Sequence, residues 1–422
     1  MLKKVSALIL AAMLAASLTA CGGSNPNTNP TANTGSSSAV QSSVAAEASN
    51  TSVEGTTFTE RDMQQEADTA DAKTLNMTSG QNTTITEAGV YILSGSATDA
   101  SIIVEAADDA KVQLVLQSLT ITNSSTPAIY VKNADKVFVT TQKDTANTLT
   151  VTGAFTADGE TNTDATADGE TNTDAVIFAK DDIVFNGEGS LTVSSTGNGV
   201  SGKDDVKITG GSLAIECAAD AIEANDEISV AGGTITINSQ KDGLHAENSD
   251  DNTQGSIYIS GGTFDITAAS DAIQGTTTVV IDGGTFTLAA GEGIEGTNVT
   301  INDGTINISA SDDGINATNK SSEKVCITIN GGTITINMGQ GDTDGLDSNG
   351  DLTITGGTIN ITGQSACDYD GQAQKTGGTL IVNGVETDTI PNQMMGGGGR
   401  GGMGGPGGMA PGGMAPGGMG GF

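Results

Sequence analysis

Six acidic residues return at one position of a repeating phrase: Asp220, Asp242, Asp271, Glu292, Asp313 and Asp344. Each is followed by Ala or Gly and then by Ile or Leu. Three positions further on stand Glu223, His245, Gln274, Glu295, Asn316 and Asp347. The pairs Asp204-Asp205 and Asp312-Asp313, with Asp342, Asp368 and Asp370, thicken the pattern. If the phrases lie on neighbouring strands about 4.8 Å apart, two adjacent carboxylates repel by about 3 kcal/mol at an effective dielectric of about 20. A row of them must raise its own pKa values or recruit counter-ions. Clustered hard oxygen donors beside turn carbonyls suit Ca²⁺, and the ligand candidates are Asp220, Asp242, Asp271, Glu292, Glu295, Asp313, Asp344 and Asp347. Asp-Gly and Asn are also ordinary turn residues that bond their own backbone, a reading open for any one aspartate taken alone.

What must position these acids is the phrase itself. Between residues 183 and 384 an alternating apolar strand is followed by Gly-Gly-Thr or a close variant, a second alternating strand, and the acidic turn. The second glycine falls at Gly189, Gly211, Gly233, Gly262, Gly284, Gly304, Gly332, Gly357 and Gly378, giving a period near 22 residues. Glycine pairs suit the corner between two strands, and the β-branched, period-two patterning marks the strands. Strands this short, without helical crossovers, pair their edges by stacking coil on coil. The expectation is an all-β, right-handed, single-stranded parallel β-helix of about 22 residues per coil.

Lys3 and Lys4 precede an apolar run from Val5 to Ala16 and then Leu18-Thr19-Ala20-Cys21. That pattern reads as an export signal too short to span a membrane, and its ending resembles the bacterial lipobox, with lipid expected on Cys21. Four segments make up the chain: a lipoprotein signal peptide over 1–21, a Ser/Asn/Thr-rich tether over 22–55, a β-helix over 56–390, and a Gly/Met/Pro tail over 391–422. The tether and tail lack the apolar residues a core needs. Within the β-helix, 156–175 is a tandem copy of TADGETNTDA, expected as a polar loop between coils.

The 422 residues carry a net charge of −35 with no tryptophan, which argues against nucleic acid and anionic membrane surfaces as partners and favours cations. Beyond Cys21 only Cys217, Cys326 and Cys367 remain. An odd number in strand-like settings reads as buried thiols.

The phrases FTERD (58–62), GVYILSG (89–95), AIYVKNADKVFVT (128–140), GKDDVKITGGSL (202–213) and ITGGTINIT (354–362) resemble the secreted bacterial carbohydrate-binding domain-containing family, over roughly 58–385. The resemblance implies a calcium-bearing parallel β-helix, similar to pectate lyases, that binds acidic plant polysaccharide and cellulose.

Function then divides three ways. A cell-surface, lipid-anchored, monomeric polysaccharide binder would use Ca²⁺ to bridge protein and uronate carboxylates; scarce aromatics fit an acidic polymer better than a neutral one. A calcium-dependent polysaccharide lyase needs a base for the C5 proton. Lys203, Lys207, Lys241 and Lys375 are available, but the only arginines are Arg61 and Arg400 and the only histidine is His245. A structural adhesin or spacer is the third, its threonine rows such as Thr234/Thr236 and Thr333/Thr335 being ordinary on exposed β faces. The residues favour the non-catalytic binder.

Overall fold

The computed structural model describes residues 58–156, 173–340 and 343–392. The signal peptide with Cys21, the tether, most of the duplicated loop, Asp342 and nearly all of the tail lie outside the described residues. No helix among the described residues is long and apolar enough to cross a membrane.

One coil shows how the sequence makes the fold. Ser212–Cys217 gives way at the acidic turn to Ile222–Ala224, then to Glu227–Val230, and the Gly232-Gly233 corner leads into Thr234–Ser239. Each of the three strands pairs in parallel with its counterpart one repeat later, so three sheets run along the solenoid. We call them sheet A (Ser212–Cys217 and equivalents), sheet B (Ile222–Ala224) and sheet C (Glu227–Val230). This is the parallel β-helix that the repeat predicts.

Alternation in sheet A sends every second side chain inward. Leu213, Ile235, Phe264, Phe286, Ile306, Ile334, Ile359 and Leu380 form one register row, and all of them are buried. Phe264 and Phe286 stack with centroids 4.5 Å apart, adding about 1 kcal/mol to what their burial contributes. The outward row at the sheet's entry runs through Ser190 and Ser212 and is then threonine: Thr234, Thr263, Thr285, Thr305, Thr333, Thr358 and Thr379. The corner between sheets C and A needs glycine for a physical reason. Gly357 has φ 79°, and a Cβ there would lie 2.6 Å from the Gly331 carbonyl oxygen of the preceding coil. In the first phrase the left-handed residue is Gly187, not Gly189.

The C-terminal edge of sheet A and part of the outer face of sheet C are covered. Thr379–Val382 pairs antiparallel with Val385–Thr387, which covers the last edge of sheet A. On sheet C the outward residues Phe138 and Asn186 are 1% and 2% exposed, because the segment from Phe58 lies across them. Thr59 and Asp62 cap each other, the Thr59 N–H donating to Asp62 Oδ2 (2.9 Å) and the Asp62 N–H to Thr59 Oγ1 (3.2 Å). The turn so formed holds the Arg61 guanidinium 4.5 Å from the Phe138 ring centroid. Its Asp62 carbonyl accepts Thr209 Oγ1 and Asn186 Nδ2. Gln65 Oε1 takes the Gly187 N–H at 2.9 Å.

Candidate functional site

The acids meet where sheet A turns into sheet B. The Asp242 N–H donates to Asp220 Oδ1 at 3.0 Å, and the Asp271 N–H to Asp242 Oδ1 at 2.9 Å. Asp344 repeats the bond to Asp313 Oδ1 at 3.0 Å, and Asn198 Oδ1 starts the series by accepting the Asp220 N–H. One carboxylate oxygen thus caps the neighbouring coil's backbone while the other stays on the outer side. The turn reading and the ligand reading are compatible in the same residue. Close packing restricts the position after the acid to a small residue: a Cβ on Gly314 would stand 2.5 Å from the Gly345 carbonyl oxygen and 2.6 Å from Ile336 Cγ2.

Beside this column, sheet B's outward row is Glu223, His245, Gln274, Glu295, Asn316, Asp347 and Asp368, one per coil. Together the two columns place every sequence-derived ligand candidate on one corner. They fall into three segments that differ in the cations beside them.

Asp220, Asp242 and His245 lie with ligand atoms within 4.8 Å of one another. His245 Nδ1 is 3.5 Å from Asp220 and 3.6 Å from Asp242, and Lys241 Nζ is 3.7 Å from Asp220. Burial opposes charge on the imidazole, but Asp220 and Asp242 raise its pKa on balance. Burial likewise works against the Asp220 carboxylate, and the His245 contact and the Asp242 N–H overcome it, holding its pKa below the usual range.

Asp271, Glu292 and Glu295 form the second cluster, again within 4.8 Å. Burial, then Glu292 and Glu295, push Asp271 up to about 8; burial and Glu295 push Glu292 up to about 7. The Lys320 ammonium donates to Glu295 Oε2. With its amide oriented to satisfy its neighbours, Gln274 donates to Asp242 and Asp271 and accepts from Lys320 Nζ at 2.6 Å.

The third segment comprises Asp313, Asn316, Asp344, Asp347, Asp368 and Asp370. Asp347 is pushed up to about 7 by burial and then by Asp313, Asp344, Asp368 and Asp370, all of them carboxylates. Asn316 is 7% exposed and donates from Nδ2 to Glu292 Oε2 at 3.0 Å. Its Oδ1 has no hydrogen-bond donor, and neither has the buried Asp368 Oδ1. Orphaned buried acceptors beside mutually repelling carboxylates fit an all-oxygen cation site, and Ca²⁺ takes oxygen donors of these kinds.

A fourth cluster, Asp182, Asp204 and Asp205, sits at the turn from sheet B to sheet C. Lys136 Nζ is 3.1 Å from Asp182, and Lys207 Nζ is 3.3 Å from Asp205, so this group has its counter-ions built in. Asp204 still rises to about 7 through burial and then Asp182, Asp205 and Asp226.

Of the residues weighed for lyase chemistry, Lys241 and His245 both reach Asp220 in the acidic corner, while others are held elsewhere. Lys207 is tied to Asp205, and Arg61 is held over Phe138. Lys203 lies 5.9 Å from the Phe178 ring. Cys217 and Cys367 are buried free thiols and Cys326 is half-buried. Sequence reasoning missed a group on sheet B's outer face, in the same row as Glu223. Tyr130 and Phe178 meet edge to face at 5.6 Å, with Lys132 and Lys180 5.2 and 5.8 Å from the Tyr130 ring. The signal was a lysine near the end of three successive sheet B strands, Lys132 inside Ile129–Asn133, and Lys180 and Lys203 just after Ala175–Ala179 and Asn198–Gly202.

A parallel β-helix bearing a carboxylate ladder along one corner is the class that fold and site define. A family model described as carbohydrate-binding domain-containing protein matches residues 79–342 and 289–390, and the chain belongs to that family. A carbohydrate-binding domain-containing protein of Acetivibrio thermocellus is 32% identical over 127 residues, 30% of this chain and 42% of that relative, so the match spans less than half the relative's length. A solved structure described as the polysaccharide lyase-like protein from C. thermocellum, gadolinium derivative, has a TM-score of 0.46 at 31% identity, covering 54% of this chain and 87% of that one.

Proposed function

We propose that this protein is a lipid-anchored, cell-surface binder of acidic polysaccharide that depends on Ca²⁺ and does not cleave its ligand. Family membership supports carbohydrate binding. The observation that carries the calcium dependence is the third segment, where Asn316 Oδ1 and Asp368 Oδ1 lack donors and burial together with four neighbouring carboxylates raises Asp347. Asp313, Asn316, Asp344, Asp347 and Asp368 would hold the ion. Bound calcium would supply positive charge shared between these carboxylates and those of a uronate polymer. The chain's own contribution is positional: Asp313 Oδ1 caps the Asp344 N–H, and the coil spacing of about 4.8 Å repeats acids in a line along the solenoid. Lys3, Lys4, the apolar run and Cys21 support the surface anchor.

Lys207 and Arg61 are held away from the acidic corner, and Lys241 and His245 within it are paired with Asp220, which favours binding over elimination. Incubation with polygalacturonate, with and without chelator, tests the reading. Calcium-dependent retention with flat absorbance from unsaturated product is expected; rising absorbance selects the lyase, and retention that ignores chelator removes the calcium dependence.

A further inference from the structure

His245 is the sole histidine of the chain. It stands in the short sheet B strand Leu244–Ala246, whose Leu244 and Ala246 are fully buried, so the imidazole faces outward into the acidic corner. Two carboxylates meet it there with their directions already set. Asp220 Oδ1 is committed to the Asp242 N–H and Asp242 Oδ1 to the Asp271 N–H, at 3.0 and 2.9 Å. The other oxygen of each turns to the ring: His245 Nδ1 lies 3.5 Å from Asp220 Oδ2 and 3.6 Å from Asp242 Oδ2. On the far edge of the ring, Nε2 is 3.3 Å from Glu247 Oε2. Both ring nitrogens are buried and neither makes a hydrogen bond, a costly state for a polar group out of water. An imidazolium serving as a plain counter-ion would donate to these oxygens, and the contacts to the two aspartates are longer than such bonds.

We propose that Asp220, Asp242 and His245 form a zinc site, chemically distinct from the oxygen ligands of the third segment, with Glu247 orienting the histidine. Zinc bonds of about 2.0–2.2 Å in a tetrahedron set neighbouring donor atoms about 3.4 Å apart. The nitrogen-to-oxygen separations here are 3.5 and 3.6 Å. Calcium binds through oxygen at longer distances, so an imidazole beside two carboxylates selects a transition ion. A ligating histidine ordinarily presents its second nitrogen to a carboxylate, which fixes the ring and raises its basicity; Glu247 is placed to do this. The backbone caps on Asp220 and Asp242 fix the other two ligands in the same way. Two groups compete for the same oxygens. Lys241 Nζ is 3.7 Å from Asp220 Oδ2, but its side chain is 63% exposed, and an exposed ammonium returns to water at little cost. The Gln274 amide donates to Asp242 Oδ2 at 3.3 Å and leaves that oxygen a second lone pair. Asp220 comes from one coil and Asp242 with His245 from the next. A zinc held there staples the two coils and keeps a fourth position for water or a ligand oxygen.

The test is titration of the full chain, free of any affinity tag, by calorimetry and metal analysis, with Zn²⁺ alone and Ca²⁺ alone as the probes. His245→Gln is expected to bind zinc about tenfold more weakly or worse and to bind calcium as wild type does. Because His245 is the only histidine, its ring resonances report this site alone. Zn²⁺ is expected to shift them, and Ca²⁺ at the same concentration to leave them in place. No zinc on wild type, zinc binding by His245→Gln equal to wild type, or ring resonances that zinc leaves unmoved overturns the proposal. None of these results bears on calcium at the third segment, which is read separately from the Ca²⁺ titration. Should His245→Gln lose its wild-type circular dichroism spectrum, Glu247→Gln is read instead, at a side chain 54% exposed. Loss of the orienting carboxylate is expected to weaken zinc by about tenfold, and zinc affinity equal to wild type overturns the proposal.

Discussion

Asp313 does two jobs with two oxygens, and substitution can separate them. Its Oδ1 accepts the Asp344 N–H at 3.0 Å, while its charge acts on Asp347. Asp313→Asn keeps an acceptor and removes the charge; Asp313→Ala removes both. In chelator, Asp313→Asn is expected to melt at or above wild type, because it relieves repulsion. Asp313→Ala is expected to lose about 1–2 kcal/mol through the orphaned N–H. In calcium both variants bind the ion at least tenfold more weakly. Equal melting of the two in chelator, measured by circular dichroism, would show that the cap contributes nothing. The same division of labour holds at Asp220 and Asp242, which cap Asp242 and Asp271.

At the scale of the element, the ladder stores its strain as displaced protonation. Without metal, Asp271 sits at about 8 and Glu292, Asp347 and Asp204 at about 7, against ordinary carboxylates near 4 in the unfolded chain. The folded state therefore holds protons that the unfolded state has released. Its stability falls as pH rises from about 4 through these folded values. The raised His245 acts in the same direction, and the lowered Asp220 acts only below about 4. Chelated protein is expected to lose melting temperature steadily between pH 5 and 8, and calcium to flatten the slope; a rising slope in chelator would contradict the ladder's electrostatics. The strap formed by the Phe58 segment is the second element with a measurable contribution. Asp62→Ala removes the acceptor for Thr59 N–H and a carboxylate 3.7 Å from Lys136. A loss of about 1–3 kcal/mol in denaturant unfolding is expected. Its importance was not legible beforehand. FTERD marked the family, but its partners Asn186 and Thr209 lie 124 and 147 residues away. The coils, by contrast, could be read directly, because inward Ile, outward Thr and corner Gly recur at fixed spacing. The acids were legible as a column for the same reason. Their sorting into segments was not, since it depends on where Lys320 and Asn316 reach across coils.

For the whole molecule, growth in one dimension determines how far any local event is felt. Each coil pairs only with its neighbours, so stability is close to a sum of coil and interface terms and a perturbation decays along the stack. On the proposed reading, a calcium held by Asp313, Asn316, Asp344, Asp347 and Asp368 would lie toward the C-terminal end, where the last coil is closed by the Val385–Thr387 strand. Removing it would restore repulsion among carboxylates on adjacent coils there and leave the early coils untouched. Those early coils rest on the row from Tyr130 through Phe178 to Ser201 and are clasped by the strap. Chelation is therefore expected to accelerate amide hydrogen exchange most in residues 313–370, less in 271–296, and least in 102–200. The gradient follows from the solenoid's connectivity, since a globular core would spread the same loss over the whole domain. Uniform acceleration along the chain would mean that the coils unfold as one unit, and acceleration confined to the early coils would place the metal at the wrong end.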